Sequence, residues 1–190
     1  MPNWCSTVYY IDSECAAAMK ENLEKREKSG DSNWNWLGHF VSDFGGDVAK
    51  VYSRGWVDSY EYNEENKELT LYCSTAWAEC NEWREFIESK FEGLRIFYSA
   101  EEPGLDYYVT NIEDFAYPYT METEEGHDDF SSPLDLLKAV CRECDIQMPE
   151  CREEDAFALA GTMAEAFNEQ QENRDSDRYV YIHKYDYIED

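Results

Sequence analysis

Two alternating runs flank a polar turn near the middle of the chain. In the first, Trp56, Asp58, Tyr60 and Tyr62 share one parity, and Gly55, Val57, Ser59 and Glu61 take the other. In the second, Leu69, Leu71 and Cys73 alternate with Thr70 and Tyr72. A period of two, rich in aromatic and β-branched residues, predicts strands, and residues 63–67 supply a polar connection of hairpin length.

The same reading extends in both directions. Residues 3–11 predict a strand, with Trp4, Ser6, Val8 and Tyr10 on one face and Cys5, Thr7, Tyr9 and Ile11 on the other. A helix follows, capped by Asp12 or Ser13, with Ala16, Met19 and Leu23 at helical spacing and Ser29-Gly30 as its stop. A shorter helix opens at residues 31–33, carries Trp36, Leu37, Phe40, Val41 and Phe44, and ends at Gly45-Gly46. After the hairpin come a helix over 79–91, facing the core with Cys80, Trp83, Phe86, Ile87 and Phe91, a strand over 94–99 and a further strand over 107–112. The β-α-β-β-α-β order predicts an α+β fold, a ferredoxin-like antiparallel sheet with helices on one face, over residues 1–116.

Residues 117–190 predict an acidic extension. Residues 121–129 have the composition of a flexible linker. Ser132 then suits a helix N-cap, with Pro133 in the first helical position and Asp135 three residues beyond the cap. A second helix over 153–171 buries Ala156, Leu159, Ala160, Met163 and Phe167, and begins with three acids that favour a helix N-terminus. Residues 178–188 alternate cleanly and predict a C-terminal strand that adds to the sheet edge.

Composition changes the picture chiefly through charge. The 190 residues carry a net charge of -27, yet 43% are hydrophobic and 16% aromatic, which separates this chain from acidic disordered ones. The imbalance is uneven: residues 1–100 hold 18 acids and 10 bases, residues 101–190 hold 25 and 6. Such a surface repels nucleic acid and anionic lipid and favours cationic partners. The seven cysteines are odd in number and lack a framework spacing. The first residues have neither the basic region nor the apolar run of a signal peptide, and no apolar segment reaches membrane length. A reducing cytoplasm with free thiols is the expected setting.

Four pieces together resemble a known group: Met1-Pro2-Asn3-Trp4-Cys5-Ser6 at the start, Arg54-Gly55-Trp56-Val57-Asp58 in the first hairpin strand, Ser74-Thr75-Ala76-Trp77 closing the second, and Glu101-Glu102-Pro103-Gly104 after the fourth strand. The set is similar to the YubB-type ferredoxin-like family carried by plasmids, phages and integrated elements. That family usually continues Thr-Ala-Trp with Ser-Pro-Pro, where this chain has Ala78-Glu79-Cys80. The resemblance spans about residues 1–112. It implies the fold and a mobile-element origin, and brings no activity or catalytic residue.

Several constellations bear on possible chemistry. Cys141-x-x-Cys144, with Cys151 and His127 nearby, has half of a zinc pattern, but Leu134, Leu137, Cys141 and Cys144 also form one helical stripe, where thiols pack as small apolar groups. Core packing is expected, with no metal and no cofactor. The six tryptophans suggest base stacking on a sheet, which also needs Lys and Arg around it; a tryptophan-rich core is expected instead. No pair of carboxylates stands out for acid–base work, and no catalytic residue is assigned.

The expected function is therefore non-enzymatic. The acids Glu122, Glu124, Glu125, Asp128, Asp129, Glu153, Glu154, Asp155, Glu165, Glu169 and Glu172 are expected to bind a basic nucleic-acid-binding host protein, in the manner of a DNA mimic with an anti-restriction or anti-CRISPR role. A small metal- or thiol-dependent enzyme or ligand-binding domain is the alternative, and acidity serving only solubility is the blander one.

Overall fold

A computed structural model describes residues 3–173 and 177–189; Met1 and Pro2 of the opening motif lie outside them. The chain divides into two compact units, Met1–Ile112 with Tyr187–Asp190, and Glu113–Asp186.

The first unit holds β1 (Trp4–Ile11), α1 (Ser13–Ser29), α2 (Gly38–Asp43), β2 (Gly55–Asn63), β3 (Glu68–Ala76), α3 (Asn81–Glu88), β4 (Phe97–Glu102) and β5 (Tyr107–Thr110). With β9 (Asp186–Tyr187) the strands form one sheet in the order β2-β3-β1-β4-β5-β9. The class is α+β. At six strands the sheet is wider than the ferredoxin-like plan: β5 falls where a further strand was expected, and of the C-terminal strand only β9 joins the edge.

One face of this sheet is packed. Tyr9 and Ile11 of β1, Leu69, Leu71 and Cys73 of β3, and Val57 of β2 join Met19 and Leu23 of α1 and Trp83 and Ile87 of α3 in a single core. Trp83 is fully buried; its ring centroid lies 4.9 Å from that of Tyr9 and 6.1 Å from that of Phe40. Its Nε1 donates to the Leu37 carbonyl at 3.1 Å, so the polar edge of the indole is satisfied inside the core. The Tyr9 hydroxyl accepts from the Cys80 amide at 2.9 Å and so fixes the start of α3.

The next residue along α3 is a buried cation. Arg84 lies 3.6 Å from Glu79 and 3.5 Å from Glu88, donates to Asn81 Oδ1 at 2.7 Å, and stacks its guanidinium 5.2 Å from the Tyr98 ring. Glu88 Oε1 also accepts from the Ile96 amide at 2.7 Å, which ties the approach to β4 to the helix.

Two expectations in this unit are overturned. The alternation of β2 is not continuous: a bulge between Val57 and Ser59 shifts the register. Trp56 stands opposite Ser74, but Tyr60 and Tyr62 stand opposite Leu71 and Leu69, on the packed face. One extra residue reverses which parity points inward. The short helix also starts later than its apolar spacing suggests, at Gly38, leaving Trp36 ahead of it. Trp36 bridges Trp56 through the backbone and donates its indole N–H to Ser53 at 3.0 Å. Its ring occupies the space a Cβ would need at Gly38, so only glycine fits there.

The second unit contains β6 (Tyr119–Thr123), β7 (Gly126–Phe130), α4 (Pro133–Glu143), α5 (Glu153–Glu172) and β8 (Val180–Lys184), with strands in the order β7-β6-β8. Residues 121–129 are thus a hairpin rather than a linker. The charges are on the surface, while Met121, Thr120 and Thr123 are buried beneath them. α4 is capped as expected, Ser132 Oγ accepting from the Asp135 amide at 3.2 Å. Its buried face is Leu136, Leu137, Val140 and Cys141; Leu134 and Cys144 are half-buried at its margin. α5 contributes Phe167 together with the alanines Ala156, Ala160 and Ala164, whose small side chains let it approach α4 closely.

The C-terminal strand is interrupted. Val180–Lys184 pairs with β6 in the small sheet, Tyr185 N donates to the Pro118 carbonyl at 2.9 Å, and only Asp186–Tyr187 joins the large sheet, where Ile188 N donates to Thr110 at 2.8 Å.

Two outcomes follow from these contacts. Arg84→Ala leaves Glu79 and Glu88 without their buried cation and should destabilise the first unit by about 3–5 kcal/mol in urea unfolding. A chain ending at Asp177 loses β8 and β9 and removes Val180 from the second core; its melting midpoint should fall by about 5 °C or more, and an unchanged midpoint would refute the structural role of these strands.

Candidate interaction surfaces

The acids singled out in the sequence all lie on the second unit, in three groups. On the hairpin, Glu122 is half-buried in β6, opposite His127 and Tyr181, while Glu124, Glu125, Asp128 and Asp129 are exposed. Glu153, Glu154 and Asp155 occupy the first turn of α5, and Glu165, Glu169 and Glu172 its second half. The two α5 groups are about 17 Å apart along the helix axis, from Glu154 to Glu165, so they do not form one tight patch.

Many of these carboxylates are already engaged. Glu124 Oε1 lies 3.3 Å from Arg178 Nε, and Oε2 accepts from the Tyr179 amide at 3.3 Å. Its pKa is lowered, first by a hydrogen bond from its own amide, then by the Tyr179 amide and Arg178. Arg178 also binds Glu143 at 2.7 Å. Arg152 pairs with both Glu154 and Asp155, the latter at 2.9 Å, and His127 Nε2 sits 2.9 Å from Asp129. Glu165, Glu169 and Glu172 are exposed and form no ion pair with a described residue.

Concave surface accompanies the first α5 group. Tyr119, Pro133, Glu153, Glu154, Phe157, Ala158 and Lys184 line an open groove of about 610 Å³. Its floor is aromatic, with the Tyr119 and Phe157 rings 5.5 Å apart, and Lys184 Nζ lies 6.0 Å from the Tyr119 ring.

A second surface was not found from the sequence. The unpacked face of the large sheet carries Trp4, Val8 and Tyr10 of β1, Trp56 of β2, Tyr72 of β3 and Phe97 of β4, as the strand registers require. Trp4 is 45% exposed and Tyr72 37%, and the Trp4 and Trp56 rings meet edge to face at 5.4 Å. Further along the sheet Ser99 and Thr110 are buried, so the exposed part is β2-β3-β1 and the start of β4. At the bulge, Asp58 is exposed and its Oδ2 accepts from the Ser74 hydroxyl at 2.7 Å. Both parities of β1 carry aromatics, Tyr9 inward and Tyr10 outward, so alternation alone does not say which tryptophans face solvent.

The seven cysteines are free thiols, five of them buried. Cys141 Sγ packs 3.7 Å from Met163 Sδ on α5. Burial is the leading cause that pushes the Cys15 and Cys80 thiols up to about 12 and Cys144 to about 11, and it also raises Cys5, Cys73 and Cys141. Thiols held protonated in this way are poor nucleophiles. Among the described residues no three His, Cys, Asp or Glu side chains gather as metal ligands. Iodoacetamide at pH 8 should therefore label the half-buried Cys151 in the native protein and the other six, Cys144 among them, only after unfolding. Rapid labelling of Cys5, Cys73 or Cys80, read by mass spectrometry, would contradict this.

No family model matches the chain, and no curated protein matches it. Among solved structures it has a likeness to the crystal structure of an unknown protein from Galdieria sulphuraria, at 8% identity and a TM-score of 0.27, over 97% of this chain and 99% of that one. A likeness of that strength carries no argument about fold or function. No helix among the described residues is long and apolar enough to cross a membrane.

Proposed function

We propose that this chain is a non-enzymatic, cytoplasmic protein of a mobile element that binds a basic nucleic-acid-binding host protein through the acidic surface of residues 119–175, of which 174 and 175 lie outside the described residues. The observation that carries this reading is the second half of α5. Glu165 and Glu169 repeat at the four-residue spacing where like charges repel, and Glu172 follows one turn on. All three approach the helix C-terminus, where the macrodipole disfavours carboxylates. α5 carries no cation to relieve them. An arrangement that works against local stability, while remaining exposed, is expected where the charges serve a partner.

Charge density limits how literal the mimicry is. A duplex presents one charge per about 1.7 Å of axis. The 20 residues of α5 span about 30 Å and hold six acids, one per about 5 Å. The reading is thus a competitor for a cationic groove by field, with the hairpin acids adding to the helix, rather than a replica of the duplex. The strand order β2-β3-β1-β4 and its antiparallel pairings support a ferredoxin-like core within the larger sheet, and with it the resemblance to mobile-element proteins. An anti-restriction or anti-CRISPR role is the biological setting that fits.

The test replaces Glu165, Glu169 and Glu172 by Lys. Lysine suits the end of a helix, so circular dichroism should be unchanged. Wild-type protein should retain from lysate a basic nucleic-acid-binding protein that duplex DNA or guide RNA displaces and that 0.5 M salt releases; the triple variant should retain none. Equal retention by the variant, or a bound protein that nucleic acid does not displace, refutes the reading.

A further inference from the structure

The geometry points to the open face of the large sheet as a receptor for an arginine side chain of a basic protein segment, with Asp58 as its anion and Trp4, Trp56 and Tyr72 as its aromatic walls. This rests on the proposed basic partner and adds a contact in the first unit. The bulge is the starting point. Asp58 is its extra residue, with no cross-strand partner of its own on β3, and its carboxylate is held by Ser74 on the face that also carries Trp56. Bulges of this kind re-aim side chains next to functional surfaces. Asp58 forms no ion pair with a described residue, so its charge is left for an incoming cation.

Charge and shape then choose the occupant. Phosphates are repelled by Asp58 and by the excess of acids in residues 1–100. A purely apolar surface docking here would bury the carboxylate without a partner, which is costly. A guanidinium meets both demands, because it pairs with a carboxylate through its planar fork and stacks on aromatic faces; an ammonium offers only the point charge. The same face already holds one such pair, the Arg95 guanidinium lying 5.2 Å from the Phe97 ring.

The experiment titrates the full chain with a nine-residue alternating Gly/Arg peptide while following the indole N–H signals of Trp4 and Trp56 by NMR. Both signals should shift. The Lys version of the peptide should bind several-fold more weakly, and Asp58→Asn and Tyr72→Ala should each weaken the Arg peptide about tenfold. These are exposed positions, and circular dichroism verifies the fold of each variant. The proposal is overturned if Asp58→Asn binds as wild type does, if the indoles respond to single-stranded oligouridine and not to the Arg peptide, or if dilution alone moves them, which marks self-association. Failure here, with the Lys triple variant of α5 still losing its nucleic-acid-displaced partner, removes this receptor and leaves the proposed function standing. Asp58-dependent peptide binding without any such partner does the reverse.

Discussion

The indole of Trp83 has three obligations at once: to fill the centre of a core, to lie against Tyr9, and to give its one polar hydrogen to Leu37. Meeting them requires α3 to lie against β1 and the segment before α2 to come within hydrogen-bond reach. Tyr9 returns the constraint through its hydroxyl, which receives the amide of Cys80 just before α3, and the Arg84 network then fastens the same helix to the approach to β4. Packing and polar satisfaction therefore point to one arrangement in the first unit. Elements whose local and long-range demands agree in this way fold to a single state.

Much of that arrangement is legible in the sequence, and the exceptions have identifiable physics. Strands β1 and β3 and helices α1, α4 and α5 follow from periodicity because one face of each is buried over most of its length, in α1 as far as Leu23. β2 does not, because periodicity presumes one residue per step and the bulge inserts another. The hairpin of β6 and β7 was hidden by composition: its acids are on the surface, and only Met121 and the threonines report the core beneath. The six-stranded width depends on β9, two residues long, which no pattern of hydrophobicity can announce.

The surfaces are less legible than the fold. Acidity marks the second unit from composition alone, but which carboxylates are already satisfied depends on where Arg152 and Arg178 fall in space, 35 residues separating Arg178 from Glu143. The aromatic face of the first unit requires both the strand register and the bulge before Trp4, Trp56 and Tyr72 can be placed together. A tryptophan-rich core and a tryptophan-bearing surface share the same composition, and the structure divides them: Trp83 within, Trp4 without.

The bulge also sets a rule for how this strand can change over generations. Before it, the large side chain of β2 faces outward; after it, Tyr60 and Tyr62 face inward. Substitution at 58 keeps that division, since the count of residues is unchanged. Loss or gain of a single codon does not: the chain must then either turn the tyrosines out of the core or swing Trp56 into it. For the fold, the presence of a residue at 58 therefore matters more than its identity, and what its side chain must be is set by the surface it serves.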